Sequence, residues 1–369
     1  MKILGIAAIE QSHFPPFGKQ RFFFEALIKN YVPRKFKVFF FSPLRYNYNQ
    51  KNISGFVFIN GEWLSCSERF PDIIYDRCFS SLLSEKEEIR EFREFLKLNK
   101  ITVFNPVALS DILDHKFNFH KFLHEHSIPT LSFQLPTEYL CQTDIEKHSF
   151  LLKPIQGSGG VGIVELKKIN SDFVILNNKK QIIFQIDDIL LLENELRRYQ
   201  SMDFFLQKKI ELELIEGSVF DIRVILQNSA EGYQISGIAL RLGEKGSIVS
   251  NLMSGGKAMY IEEIGNYWQT NFGISSEVLQ HELCQISFKL AQLISDKFGP
   301  FGEIGLDFLL YKEQQTNKLV IMEGNARPSR WVFQDIADRS EHIMIKKRAE
   351  KDRKDTIIKP LQYVDYLMS

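Results

Sequence analysis

The chain is predicted to be a mixed α/β and α+β protein, with a small α/β domain ahead of a larger α+β region. Three observations lead there. Apolar runs alternate with amphipathic stretches through Phe104, and the pattern turns strand-rich from Phe150 onward. Within that second part, residues 151–162 read LLKPIQGSGGVG, a lysine followed by a glycine-rich loop. Farther on, Asp307, Glu323 and Asn325 sit at the ends of two apolar strands, three oxygen-bearing side chains of the kind a hard cation prefers.

Residues 3–9 and 37–41 have the continuous apolar character of buried strands, and 21–31 reads as a helix between them. Asn60-Gly61 separates strands at 55–59 and 63–66, the strongest two-residue hairpin signal. A strand at 72–75, an amphipathic helix at 85–98 and a strand at 102–104 follow, and Asn105-Pro106 then breaks the pattern. The first domain is therefore placed at residues 1–108. From 111 to 125 the pattern is helical. Strands are predicted at 150–154, 162–167, 182–185, 204–210, 219–226, 234–240, 304–311 and 318–323. Helices are predicted at 191–198 and 276–297. Residues 109–202 and 203–340 form two subdomains in this reading, and 341–369 a helical tail.

A chain of 369 residues, 44% hydrophobic, can bury a large core. Lys+Arg and Asp+Glu are 46 each, so no global field favours nucleic acid or an anionic membrane as partner. The basic run from Lys346 to Lys354 is interrupted by acids and reads as a solvated helix face. Cys66, Cys78, Cys141 and Cys284 are scattered without metal or redox spacing, which suggests free thiols. The start has no signal-peptide pattern, and no apolar stretch is long enough to span a bilayer, so a cytoplasmic location is expected.

Gly157, Gly159 and Gly162 literally satisfy G-x-G-x-x-G. A dinucleotide fingerprint needs that loop to open a helix, but Ile163-Val164-Glu165-Leu166 continues as a strand. No Gly-Lys-Ser/Thr closes the segment, which excludes a Walker loop. An ordinary glycine hairpin is the bland alternative. Backbone N–H groups unobstructed by a Cβ close around phosphate oxygens, and Lys153 adds charge. With the distal acidic cluster, this favours a lid over ATP. Lys116 on a helix would alone be a surface lysine. His120 and His124, one turn apart, lack a third ligand at zinc spacing. Arg223 and Asp221 alternate with Ile222 and Val224 and share one strand face.

The order of these motifs resembles the ATP-grasp superfamily, and within it the YheC/YheD family of endospore coat-associated proteins. The resemblance rests on FPDIIYDR (70–77), DHK (114–116), LKP with its glycines, FDIRV (220–224), NLMSGG (251–256), GLD (305–307) and EGNARP (323–328). It implies an ATP-grasp fold, two α+β subdomains clasping ATP, preceded by a small α/β pre-ATP-grasp domain. It further implies that Lys116, Lys153 and the loop Gly157, Ser158, Gly159 and Gly160 contact phosphates. Gln207, Lys209 and Ile210 would form the hinge, with backbone groups of Lys209 and Ile210 pairing with adenine. Glu213 or Glu216 would take the ribose. Arg223 and Arg241 would face the transferring phosphoryl, and Asn251 would lie beside the phosphates. Asp307, Glu323 and Asn325 would hold Mg²⁺ or Mn²⁺, with Asn325 also counted as catalytic. Arg327 and Arg330 stand where many such ligases have a Ser-Pro-Gly-like turn. They could bind a substrate carboxylate or pair with nearby acids.

The activity this implies is an ADP-forming ligase that joins a carboxylate-bearing small molecule or peptide to an amine through an acylphosphate. A kinase-like phosphotransferase and a low-turnover spore-coat-associated ATP-binding protein are the alternatives. A homo-oligomer and spore-coat association are left open.

Overall fold

A computed structural model describes residues 1–31, 33, 35–45, 52–79, 83–138, 148–157, 160–177, 180–247, 249–252 and 255–369. The first sheet holds β1 (Lys2–Ala7), β2 (Phe36–Phe41), β3 (Asn52–Ile59), β4 (Glu62–Arg69), β5 (Ile73–Asp76) and β6 (Thr102–Val103), in the order β4-β3-β2-β1-β5-β6. β2, β1, β5 and β6 run parallel, and β3–β4 is an antiparallel hairpin. Asn60 and Gly61 both take positive φ, 53° and 87°, as a type I′ turn requires. The helices α1 (Arg21–Asn30) and α2 (Leu83–Leu98) complete this layer. Phe39, Phe40 and Phe41 are all fully buried, since Phe40 enters one core and Phe39 and Phe41 the other. A parallel strand covered on both faces accounts for the unbroken phenylalanine run.

The helix expected at 111–125 is two helices, α3 (Val107–Asp114) and α4 (Lys116–Glu125). His115 between them is extended (φ −109°, ψ 90°), and its Nδ1 accepts the Asn118 N–H at 3.2 Å, capping α4. The second sheet is antiparallel in the order β11-β10-β9-β8-β12-β7. It consists of β7 (Phe133–Gln134), β8 (Phe150–Pro154), β9 (Val164–Ile169), β10 (Asp172–Leu176), β11 (Ile182–Ile186) and β12 (Phe204–Lys208). One face packs on α5 (Ile189–Ser201) through Leu152, Leu166, Ile175, Leu192, Leu196 and Leu206.

The third sheet has β13 (Phe220–Ser229), β14 (Gly232–Leu242), β15 (Lys257–Met259), β16 (Glu303–Glu313) and β17 (Thr316–Asn325), antiparallel in the order β15-β14-β13-β16-β17. Period two sorts its side chains. Ile222, Val224, Leu240, Leu306 and Phe308 go into the main core with Leu279, Leu283 and Leu290 of α7 (Ser276–Phe298), which α6 (Gly265–Phe272) precedes. Asp221, Arg223, Arg241 and Asp307 therefore take the opposite face. α8 (Trp331–Arg339) covers part of that face farther along, through Val332, Phe333 and Ile336 against Ile225 and Ala239. α9 (Ile343–Leu367) runs back to the first sheet, where Ile357, Leu361 and Val364 share a core with Leu4, Phe24 and Phe36.

Asn105 is buried, and its Nδ2 donates to the carbonyls of Glu303 (2.7 Å) and Ala326 (2.8 Å). The segment read as a boundary thus latches the first sheet to the third. Among the described residues no helix is long and apolar enough to cross a membrane.

Candidate active site

A cleft of about 1880 Å³ opens between the second and third sheets, and Cys78, Phe79 and Arg93 of the first domain also line it. Lys116, Lys153, Gly157, Gly160, Gln207, Lys209, Ile210, Arg223, Arg241, Asn251, Asp307, Glu323, Asn325 and Arg327 all line it. Ser158 and Gly159 lie outside the described residues.

Lys153 projects from β8 and donates from Nζ to Oε1 of Gln207 on β12. Burial pushes this ammonium down to about 8, Lys116 lowers it further, and Glu323 works the other way. Lys116 opens α4. Its backbone N–H donates to the Ile155 carbonyl (3.0 Å), and its Nζ donates to the Gly157 carbonyl, so this lysine holds the start of the glycine turn. Gly157 and Gly160 have φ of 128° and 73°. A Cβ on Gly160 would come within 2.6 Å of Cγ1 of Val249, so the loop lies directly against the segment that leads to Asn251.

At the hinge the geometry changes two of the implied roles. The Lys209 N–H donates to the Ser149 carbonyl (2.9 Å) and its Nζ to Glu165 (2.7 Å), which leaves the Lys209 carbonyl as its group for a base. Glu213 and Glu216 do not line the cleft, whereas Glu211 does. Glu216 sits on a tight turn at φ 53°, beside Lys257 at 3.9 Å. Gln207 is buried, and its Nε2 has no hydrogen-bond partner among the described residues.

The opposite wall is a ladder of charges. Arg223 faces Asp307 across β13 and β16, Asp221 faces Arg241 across β13 and β14, and Asp307 faces Glu323 across β16 and β17. Arg223 Nη2 reaches Asp307 at 2.9 Å, and Nε binds the other oxygen. Arg241 forks onto Asp221 at 2.6 and 2.7 Å, and its Nη2 also reaches Asp307 at 2.9 Å. Ser250 donates to Asp221 as well. Burial would raise the Asp307 carboxyl, but the two arginines hold it below the ordinary aspartate range. Glu323 is different. Burial raises its carboxyl, Asp307 adds to the rise, and Lys116, Arg223 and Arg241 oppose it. Its carboxylate accepts no hydrogen bond among the described residues. Asn325 lies two residues on, its Nδ2 3.5 Å from Asp307.

This donor set suits a hard divalent cation: two carboxylates and an amide oxygen on adjacent strand ends, with one carboxylate not hydrogen-bonded. Among the described residues no three His, Cys, Asp or Glu side chains converge as a metal cluster. His120 is instead part of the cleft wall. The Thr130 hydroxyl donates to the Ile321 carbonyl (3.2 Å), so Nδ1 of His120, 2.7 Å from that hydroxyl, carries the ring proton. Burial pushes the ring down to about 3, with Lys153 and Lys116 adding to the effect, and it stays neutral.

The two arginines after the strand part company. Arg327 lines the cleft, donates from Nη2 to Asp114, and has Nη1 3.7 Å from Asp76. Arg93 joins these acids, 2.8 Å from Asp76 and 3.4 Å from Asp114. Arg330 is buried outside the cleft. It donates from Nη2 to Glu303, from Nη1 to the Pro328 carbonyl (2.6 Å) and from Nε to the Thr356 carbonyl (3.4 Å). A substrate-binding role for Arg330 does not fit that position, because every nitrogen is already engaged away from the cleft. No role was read from the sequence for Asp76, Arg93 or Asp221. Asp221 had left a signal by sharing a strand face with Arg223, and Asp76 by lying in FPDIIYDR.

The three sheets and the cleft between the last two define an ATP-grasp protein. The description YheC/D like ATP-grasp matches residues 100–367, and the chain belongs to that family. It is 26% identical over 284 residues to the endospore coat-associated protein YheC of Bacillus subtilis, covering 73% of each chain. It is 22% identical over 329 residues to YheD of the same organism, covering 86% of this chain and 70% of YheD. The fold is also that of D-cycloserine synthetase DcsG (TM-score 0.57, 11% identity, 100% of both chains). It is shared with D-alanyl-alanine synthetase A of Vibrio cholerae (TM-score 0.53, 11% identity, 97% of this chain and 99% of the other). A RiPP-associated ATP-grasp ligase of Chryseobacterium gregarium, solved with ADP and a leader and core peptide, is similar at TM-score 0.51 and 13% identity, covering 99% of this chain and 97% of the other.

Proposed function

We propose that the chain is an ADP-forming ligase that activates a carboxylate with ATP and joins it to an amine. One observation carries the reading. Lys116 and Lys153, beside the glycine turn, face Arg223, Arg241, Asp307, Glu323 and Asn325 across a single cleft. That is a cationic cradle for a triphosphate set opposite oxygen donors for its cation.

In this reading adenine lies at the hinge, against Ile210 and the Lys209 carbonyl, with Glu211 toward the ribose. Lys116 and Lys153 bind phosphate oxygens, and Asn251 lies beside them. A divalent cation, Mg²⁺ or Mn²⁺, held by Asp307, Glu323 and Asn325 would offset phosphate charge. Arg223 and Arg241 use Nε and Nη2 on the aspartates, which keeps each Nη1 for the γ-phosphoryl as charge builds on it. The substrate carboxylate attacks the γ-phosphorus and ADP leaves. An amine then attacks the acyl carbon, loses its proton, and inorganic phosphate departs. The carboxylate substrate is a small molecule or a peptide. Spore-coat association, carried over from the relatives' names, is a separate part of the proposal, to be read by fractionating sporulating cells.

Hydroxylamine tests the chemistry. With Mg-ATP and a panel of carboxylic acids, ADP release should be accompanied by an acyl hydroxamate. ADP release into a stable phosphate ester would point to a kinase instead, and nucleotide binding without turnover would point to a binding protein.

A further inference from the structure

Pockets for drug-sized ligands run to roughly 300–1,000 Å³. At about 1880 Å³ the cleft has room for a second ligand beside the nucleotide. Phe79, Arg93, Asp114 and Arg327 line part of it. Arg327 follows Asn325 by two residues, so the two Cα atoms are at most about 7 Å apart. A carboxylate held at Arg327 is thus next to the place where the γ-phosphoryl is read to lie. The guanidinium is already fixed, with Nη2 on Asp114. Its Nη1 is buried and without a hydrogen-bond partner among the described residues, at an ion-pair distance of 3.7 Å from Asp76. Arg327 also lines the cleft, and a buried N–H without a hydrogen-bond partner calls for an acceptor.

Two aromatic side chains flank this position in sequence and line the same cleft. Phe79 is three residues after Asp76, and Trp331 is four residues after Arg327. They are 59% and 55% exposed, whereas the other two tryptophans and most phenylalanines of the chain are buried. Large aromatic surface left open inside a cleft is the usual mark of a ligand contact. Phe79 follows β5 of the first sheet, and Trp331 opens α8.

We propose that the substrate activated by this chain is a carboxylic acid bearing an aromatic or large apolar group close to the carboxyl, such as a peptide ending in an aromatic residue. Its carboxylate is met by the guanidinium of Arg327, and its side chain lies against Phe79 and Trp331. The inference rests on the ligase reading above and adds the substrate class to it.

The test titrates three N-acetylated tripeptides by calorimetry into the full chain, both nucleotide-free and saturated with Mg²⁺ and β,γ-methylene-ATP. The peptides end in phenylalanine acid, phenylalanine amide and alanine acid. The phenylalanine acid should bind at least ten-fold tighter than either of the others. Trp331→Ala should remove the preference over alanine while keeping the preference for acid over amide, and Arg327→Gln should do the reverse. Trp331 is exposed, so its variant folds even if Arg327→Gln does not. Equal binding of the phenylalanine and alanine acids, or a preference untouched by Trp331→Ala, overturns the proposal. If the preferred peptide binds but ATP with that peptide yields no ADP, the substrate pocket stands and the ligase reading falls.

Discussion

Arg223 and Asp307 are directly opposed in the β13–β16 ladder, and the guanidinium engages both carboxylate oxygens. Arg241 reaches the same carboxylate from β14 at 2.9 Å. A residue read as a cation ligand is therefore also held by two guanidiniums. Breaking one side of a buried pair leaves an uncompensated charge, so Asp307→Asn should destabilise the chain by about 3–5 kcal/mol in urea unfolding. The pH dependence has a definite sign. The folded carboxyl titrates below its unfolded value, so its contribution is complete above about pH 4 and is lost as pH falls through the folded value. The gap between wild type and Asp307→Asn should shrink below that pH. A constant gap down to pH 3 would exclude the ion-pair account.

Lys153 titrates in the opposite sense. Its folded value, about 8, lies below the ordinary lysine value, so the charged form opposes folding, and this group adds stability as pH rises from about 8 to 10. A polyphosphate placed against it restores the higher value. At pH 8 nucleotide binding should then take up about half a proton, read by calorimetry in buffers of different ionisation enthalpy. Lys153→Met should abolish the uptake, raise the melting temperature of the free chain, and weaken nucleotide binding about 10- to 100-fold through loss of one charge-assisted contact. Proton uptake that persists in Lys153→Met would move the effect elsewhere.

Glu323 is expected to separate cation binding from stability. Its carboxylate faces Asp307 across two strands, lies in a site that raises it, and accepts no hydrogen bond among the described residues. Glu323→Gln keeps the shape and removes a repulsion, so the free chain should melt at the same or a higher temperature. The extra thermal shift that Mg²⁺ or Mn²⁺ gives on top of ATP should disappear, and Mn²⁺ bound in the presence of nucleotide should fall on electron paramagnetic resonance titration. Unchanged Mn²⁺ binding would take Glu323 out of the cation site.

Much of this cleft was legible because strands obey a period of two. Asp307 within an apolar strand, Glu323 and Asn325 two apart, and Arg223 beside Asp221 each announce a polar face on an otherwise buried sheet. What the sequence hid was partnership across distance. Nothing local links Arg330 to Glu303, or Asp76 to Arg327, because Glu303 opens β16 well before Arg330, and Asp76 comes from the first sheet whereas Arg327 follows the last strand of the third. β10 was also missed. Phe173-Val174-Ile175-Leu176 is a short apolar run in a central strand with Val174 and Ile175 both buried, so it shows no alternation. The break at His115 was hidden because its cap is formed by an imidazole nitrogen, where Ser, Thr, Asp or Asn is the usual signal. The ribose contact is a case of spacing without geometry. Several acids follow the hinge, and the turn at Glu216 carries that one away from the cleft.

The last expectation concerns Arg330, which distinguishes a structural arginine from a substrate-binding one. Its partner Glu303 is fully buried and is also bound by Tyr75 and by Gln227 at 3.0 Å, with Arg77 at 3.2 Å. The Arg330 guanidinium stacks 4.7 Å from the Phe23 ring, so the cluster joins α1, β5, β13, β16 and the start of α8. Arg330→Met removes one charge from a site that water does not reach, and among the described residues Glu303 keeps only Arg77 as a cation. The loss should be about 3 kcal/mol or more in urea unfolding. Arg330→Met combined with Glu303→Leu should recover part of it, because replacing both partners with apolar groups avoids the stranded charge. In both variants the KM for any carboxylate substrate and the turnover per folded molecule should match wild type at a temperature where all are folded. A raised carboxylate KM with unchanged stability in Arg330→Met is the result that would return this residue to the substrate site.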